Sequence, residues 1–303
     1  MNLKRLILFI LGIAIFVYCL LKFDILSSID QLKNVPLTPL LILIILINFV
    51  LLIRAIRWQY LVNNTTEIKI SFFESLKVIS SSFFISFATP GRLGEISKTV
   101  IMKDIDKKKA FSLTLIEYIM DVLSIFTLPI IFSIFYFYQI KYFIITFTII
   151  ILIIMGIYLL IKNFDKTIGI LIKNREIKES KDIIITNIKN ILKQKKVIIN
   201  CLFLSHLNYF IFYLIAVFTF KITGFNASFL VILAGFSIGH LIGAMSFIPS
   251  GLGSRELGAT AFFIWQGFSA SDVIYSLIIV RIIALVPFFI AFLIYMKFVK
   301  ERS

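Results

Sequence analysis

The chain is short of nearly everything that builds a water-soluble catalytic site. Among its 303 residues are two cysteines, two histidines and six prolines, and only 16% are charged. Cys19 and Cys201 both fall inside apolar runs, so they read as packing residues rather than a disulfide and carry no information about redox compartment. His206 and His240 lie in different regions with no HExxH pattern and no Cys pair, so no metal site is expected. There is no Walker loop and no dinucleotide fingerprint; Gly251-x-Gly253 is too short a match to count. Neither a Ser-His-Asp nor a Cys-His arrangement emerges, so no catalytic residue and no cofactor is expected. Low-complexity tracts and a separate soluble domain are also missing.

What fills the chain is hydrocarbon. It is 60% hydrophobic and 15% aromatic, well above a soluble mix, and several windows exceed the roughly 20 apolar residues that cross a bilayer. The fold class is therefore all-α: a polytopic integral membrane protein of about six to eight transmembrane helices with one or two Pro/Gly-broken re-entrant hairpins. Expected spans are 5–22, 39–62, 110–138, 142–162, 197–220 and 271–298. The first, behind Lys4 and Arg5, reads as a retained helix rather than a signal peptide, because Tyr18-Cys19-Leu20-Leu21-Lys22 offers no small-residue cleavage pattern. The whole chain, 1–303, is expected to form one transmembrane domain with a cytoplasmic amphipathic loop over about 163–196.

The net charge of +15 does not point to nucleic acid, because the basic residues gather in short segments between apolar runs, as orientation signals do. Lys4 and Arg5 precede the first span; Arg54, Arg57, Lys69 and Lys77 mark the far end of the second. Lys103, Lys107, Lys108 and Lys109, the basic loop from Lys162 to Lys196, and Lys297, Lys300 and Arg302 complete the set. All face the cytoplasm, with both termini on that side of the cell membrane, if 71–103 enters and leaves from inside and 227–268 starts and ends outside. That arrangement has six crossings and two hairpins dipping from opposite faces, as in transporters with broken helices. A rival, in which 227–247 and 252–268 each cross fully, preserves the same ends. The loop 163–196 carries Ile168, Leu171, Ile172, Ile184, Ile188, Ile191 and Leu192 at helical spacing among lysines, the pattern of an interfacial amphipathic helix.

Two polar motifs interrupt the hydrocarbon: Thr89-Pro90-Gly91-Arg92-Leu93-Gly94-Glu95 and Pro249-Ser250-Gly251-Leu252-Gly253-Ser254-Arg255-Glu256. An ionised side chain at a helix centre costs roughly 2.5–3.5 kcal/mol on insertion scales, and broken backbone at that depth must find partners inside the protein. In the first motif Pro90 ends the preceding helix, Gly91 supplies unusual dihedrals, and Gly94 permits close approach of a backbone or ligand. A new helix starting near Leu93 would aim free N–H groups at an anion beside Arg92, whose planar fork suits phosphate. Pro249, Gly251, Gly253, Arg255 and Glu256 rebuild the same ingredients. The competing reading is that Arg and Glu neutralise one another and lock the hairpins.

Further polar groups sit in the spans. Glu117 and Asp121 share one face of 110–138, with Arg92, Arg255 and Arg281 as candidate partners. They can be paired structural charges or take up protons. Their spacing raises glycoside hydrolysis, but no water-fed sugar site accompanies it. His240 lies near the second motif and is a candidate contact for it, whereas His206 reads as a core residue. Ser80, Ser81, Ser82 and Ser86 before the first motif, and Gly235, Gly239 and Gly243 before the second, read as close helix packing, with a serine-lined polar groove as the alternative.

Three of these features in order, Thr-Pro-Gly-Arg-Leu-Gly-Glu at 89–95, Glu117-x-x-x-Asp121, and Ile-Pro-x-Gly-x-Gly-x-Arg-Glu at 248–256, resemble the lysylphosphatidylglycerol synthase transmembrane (flippase-like) family over nearly the whole chain. The resemblance implies movement of modified phospholipids between leaflets, or handling of polyprenyl-phosphate sugars as in archaeal relatives. Some bacterial members join this region to a cytoplasmic aminoacyl-transferase; with Ser303 directly after the last span, the translocase half alone is implied. The expected partners are membrane lipids, either an anionic phospholipid or a polyprenyl-phosphate sugar, and a separately encoded transferase. Arg92, Arg255 and helix N-termini would hold the phosphate, with Glu95, Glu117, Asp121 and Glu256 as counter-charges. A membrane enzyme acting on a lipid-linked substrate and a non-catalytic scaffold for a transferase are the alternatives.

Overall fold

The computed structural model describes residues 37–87, 90–102, 104–137, 175–246, 248 and 251–300. The expected spans 5–22 and 142–162, and Pro249 and Ser250 of the second motif, lie outside the described residues; so do Ile168, Leu171 and Ile172 and the side chain of Arg92. Among the described residues all regular structure is helical: α1 (Leu37–Thr65), α2 (Phe72–Phe87), a 3-10 helix (Pro90–Ser97), α3 (Lys98–Ile101), α4 (Lys107–Phe137), α5 (Arg175–Lys193), α6 (Lys195–Ile222), α7 (Phe229–Met245), α8 (Ser254–Trp265) and α9 (Ala270–Lys300).

Local chemistry sets several of these boundaries. Ser71 and Glu74 form a reciprocal capping box ahead of α2: the Ser71 N–H donates to Glu74 Oε2 at 2.7 Å and the Glu74 N–H to Ser71 Oγ at 3.2 Å. Asp106 opens α4 by accepting the Lys108 and Lys109 N–H groups, each at 3.0 Å. Ser228 caps α7 through the Val231 N–H at 3.3 Å.

Four described helices, α1, α4, α6 and α9, are long and apolar enough to cross a membrane. The shortest, α6, has 28 residues and extends about 42 Å, against roughly 30 Å of hydrocarbon. The other apolar helices are shorter. With 16, 17 and 12 residues, α2, α7 and α8 reach only about 24, 25 and 18 Å. At 17 residues α7 stands at the lower end of spanning length, and it packs against α8 as a helical pair. The first hairpin consists of α2 and the 3-10 helix that folds back on it.

Two cores support the two hairpins. One gathers Trp58, Leu61, Ile79, Leu113 and Cys201 from α1, α2, α4 and α6. The other gathers Tyr213, Phe220, Phe236, Phe263 and Leu277 from α6 to α9. The helix α9 touches both sides, packing on α2 as well as α8, and α4 likewise serves the first hairpin and α7. The amphipathic α5 buries Ile188 and Ile191 in the first core against α4, while Leu192 stays exposed.

Candidate functional site

Six ionised side chains among the described residues form a network behind the first hairpin. Arg54 and Arg57 stand one turn apart on α1, Glu117 and Asp121 one turn apart on α4, and Glu95 and Lys98 flank the junction between the 3-10 helix and α3. Arg57 Nη2 donates to Glu117 Oε1 at 2.7 Å, and Nη1 bonds both Asp121 Oδ1 and Ser205 Oγ. Arg54 Nη2 donates to Glu95 Oε1 at 2.6 Å and stands 3.8 Å from Asp121 Oδ2. Lys98 Nζ reaches Glu95 Oε2 at 3.2 Å and also bonds Glu117 Oε2. All six side chains are buried. Ring faces add to the cation sites, with Lys98 4.8 Å from the Trp58 ring centre and Arg54 5.0 Å from that of Phe83.

Among the described side chains, three cations face three carboxylates. Such a cluster is tolerable in low dielectric only when complete: removing one member of a buried pair costs about 3–5 kcal/mol, because the partner stays charged and dry. Glu117 sits about 15 Å along α4 from Lys107, within the stretch long and apolar enough to span a membrane.

The structure revises the sequence reading of this region. Glu117 and Asp121 pair with Arg57, Arg54 and Lys98, while Arg255 and Arg281 go elsewhere. Arg54 and Arg57 are not loop anchors; they are core residues, and so leave the count of orientation charges. The missed signal was available, since two arginines three apart inside one apolar span cannot both snorkel to one end and need counter-charges on a neighbour. The expected helix start near Leu93 is displaced as well. The 3-10 helix opens at Pro90 and runs for eight residues, an unusual length for that geometry. Its path is fixed by Gly94: a Cβ there would stand 2.4 Å from Ser86 N and 2.5 Å from the Ile85 carbonyl carbon. Gly94 therefore serves backbone approach rather than a ligand. Above that contact the hydroxyls of Ser80 and Ser81 are buried without a hydrogen-bond partner.

The second motif builds a smaller cluster. The Gly253 N–H donates to Glu256 Oε2 at 2.9 Å, capping α8. Arg281, reaching in from α9, donates Nε and Nη2 to Glu256 Oε1 at 2.9 and 2.6 Å. Arg255 is held more loosely. Its Nε lies 3.5 Å from the same oxygen and forms no hydrogen bond, and its guanidinium carbon stands 5.5 Å from the Phe236 ring centre. Among the described side chains, these two cations share the Glu256 carboxylate. Arg281 lies about 16 Å along α9 from Ala270, within the stretch long and apolar enough to span a membrane.

Glycine makes this geometry reachable. A Cβ at Gly239 would meet the Arg255 carbonyl oxygen at 2.7 Å, and one at Gly243 would meet Arg255 Cβ at 2.9 Å, so α7 and α8 touch backbone to backbone. The reading of Gly235, Gly239 and Gly243 as packing residues holds. Gly251 and Gly253 turn the chain at φ of 61° and 78°, open to glycine at little strain. His240 lies beside this cluster in an aromatic group. Its Nδ1 is 3.2 Å from the Tyr213 hydroxyl, and its ring centre is 5.4–5.8 Å from those of Tyr209, Phe212 and Tyr213. Both Phe212 and Tyr213 also pack on Phe236, the ring under Arg255.

His206 is satisfied within the core: Ser124 Oγ at 3.0 Å, Thr127 Oγ1 at 2.8 Å and the Leu202 carbonyl at 2.9 Å surround its ring nitrogens. Cys201 is a buried free thiol. Among the described residues no group of three or more His, Cys, Asp or Glu is arranged to hold a metal ion.

Residues 6–291 match the family described as the lysylphosphatidylglycerol synthase TM region. No curated protein and no solved structure matches the chain.

Proposed function

Because the chain belongs to the lysylphosphatidylglycerol synthase TM-region family, a membrane family tied to lipid handling, we propose that it carries an anionic lipid or a lipid-linked sugar across the cell membrane. The observation that supports this most is Arg255: a buried guanidinium, its Nε without a hydrogen-bond partner, beside a carboxylate already taken by Arg281. A phosphate entering there supplies acceptors and a negative charge. Arg92, at the turn of the opposite hairpin, is the second proposed phosphate contact.

In this reading Glu95, Glu117 and Asp121 are not headgroup ligands. Each already has a cation from within the protein, and they hold the first hairpin rigid against α1 and α4 as a fixed wall. Glu256 and Arg281 orient Arg255, and His240 with its aromatic neighbours closes the site on the α6 side. The unpaired hydroxyls of Ser80 and Ser81 supply polar lining beside α9, while acyl or prenyl chains remain in lipid. Both termini are placed in the cytoplasm.

Reconstitution tests it. Purified protein in liposomes with fluorescent phospholipids and lipid-linked sugars should move at least one of them between leaflets faster than protein-free liposomes do. If none moves, the translocase reading is wrong. Covalent product formed in detergent would instead indicate a membrane enzyme, and co-purification of a soluble transferase without intrinsic transport would indicate a scaffold.

A further inference from the structure

The seam between α4 and α6 carries a histidine whose hydrogen bonds can be followed proton by proton. His206 is half-buried there. Its Nδ1 lies 2.9 Å from the Leu202 carbonyl oxygen and 3.0 Å from Ser124 Oγ, and its Nε2 lies 2.8 Å from Thr127 Oγ1. A carbonyl only accepts, so Nδ1 carries a proton. Ser124 donates its own hydrogen to the Met120 carbonyl at 3.0 Å and accepts from that same ring N–H. Thr127 is placed differently. Its single hydrogen has two acceptors within reach, the Leu123 carbonyl at 2.8 Å and a bare Nε2. When the ring is neutral, that hydrogen serves Nε2. When the ring is protonated, Nε2–H donates to Thr127 Oγ1, whose hydrogen turns back to Leu123. Both protonation states are thus hydrogen-bonded at both ring nitrogens, and one hydroxyl rotates between them. A histidine that only packs needs one satisfied state. This pocket supplies two, as a side chain that exchanges a proton near neutral pH requires.

We propose that His206 is a proton-binding site, taking a proton from water onto Nε2 as the Thr127 hydroxyl reverses, and that the cation so formed promotes entry of an anionic headgroup. The second half rests on the translocase reading above; the first does not. The charged and titratable groups on the helices around this seam include Glu117 and Asp121 on α4, Arg57 on α1, Cys201 and Tyr209 on α6, and His240 on α7. Ser205, the residue before His206, bonds Arg57 Nη1, which also holds Asp121. The ring itself touches none of these charges; its three partners are neutral. Protonation therefore adds a positive charge within a membrane-spanning helix pair, and a cation there favours an anion drawn in from the surface.

With two histidines in the chain, NMR of isotope-labelled histidine in the full-length protein reads the site, and His206→Gln assigns its signal. Between about pH 5 and 8, Nδ1 of His206 should stay protonated while Nε2 passes from bare to protonated. A ring that keeps one state across that interval, or a neutral form with its proton on Nε2, overturns the proton site. Thr127→Val removes the reversible partner. The charged ring then loses the stronger bond, so the midpoint should fall by at least about half a pH unit; an unchanged midpoint overturns the switch. Transport is read in liposomes with fluorescent phosphatidylglycerol and a fluorescent polyprenyl-phosphate hexose, phosphodiesters whose own charge is constant over this range. The parent should move at least one of them about threefold faster near the acidic end of that interval than near the alkaline end, and His206→Gln should move it equally at both. The same pH response in parent and variant overturns the transport role. Movement of neither probe by a protein whose His206 titrates sinks the translocase reading, and the transport role with it, while the proton site stands. Should His206→Gln not fold, His240→Gln assigns the signal and Thr127→Val decides the rest: the pH midpoint of the rate must follow that of the ring.

Discussion

Arg57 and Glu117, sixty residues apart in the chain, meet at 2.7 Å with side chains no more than 1% exposed. The contact joins the second expected span to the third and gives the carboxylate face of α4 a cation from within the protein.

Replacing Arg57 should therefore be more damaging to folding than replacing any charge of the second cluster. Arg57→Ala leaves Glu117 and Asp121 side by side, still anionic and dry, and should lose about 3–5 kcal/mol of stability. Thermal unfolding in detergent measures it. Arg57→Lys should recover only part, since an ammonium cannot serve two carboxylates and Ser205 with the geometry of a guanidinium.

Arg255 and Arg281 should separate stability from transport. Arg281→Gln strips Glu256 of both its side-chain donors and should destabilise by about 3 kcal/mol while also stopping transport. Arg255→Gln removes a charge held only loosely by Glu256, its Nε without a hydrogen-bond partner, so unfolding should move by less than about 1 kcal/mol, whereas lipid movement should fall at least tenfold. Parallel unfolding and flipping assays check the contrast; equal loss of stability in both would refute it.

The span boundaries were readable. The expected 39–62, 110–138, 197–220 and 271–298 became Leu37–Thr65, Lys107–Phe137, Lys195–Ile222 and Ala270–Lys300, because hydrocarbon length and flanking charge decide where such helices end. Both hairpins were readable too, from Pro and Gly beside polar residues. Partner choice was not. Whether Glu117 finds Arg57 or Arg255 depends on which helices are neighbours, and periodicity gives a face without naming what it faces. Charge counting also went astray at Arg54 and Arg57, since it treats any Arg near a span end as a surface anchor. The docked face of α5 was hidden for a related reason: an amphipathic stripe looks the same whether lipid or protein covers it.

Gly94→Ala should undo the first hairpin. The added carbon would stand 2.4 Å from a backbone nitrogen of α2, with no flexible side chain to yield. The expected loss is about 1–3 kcal/mol or outright misfolding, read as reduced monodisperse yield and a lower unfolding temperature. Gly224→Ala is the control: nothing lies within 4 Å and only its φ of 80° resists, so its effect should be smaller.

Ile191→Asp should lift α5 from the bundle. Ile191 is 2% exposed in the first core, and a carboxylate there would be buried among apolar side chains. Limited proteolysis should cut between 175 and 193 at least several times faster than in the parent, with the remaining helices protected.

The placement of α9 carries a mechanical consequence. One side of this helix presents Arg281 to the second hairpin, and another rests on α2 of the first. A headgroup that draws Arg281 away from Glu256 pulls on a rod whose opposite flank is seated against a wall clamped by six charges. Gly239 and Gly243 bring α7 so close to α8 that the two helices share any such pull as one body. In the proposed translocase, α9 therefore links the second hairpin to the first.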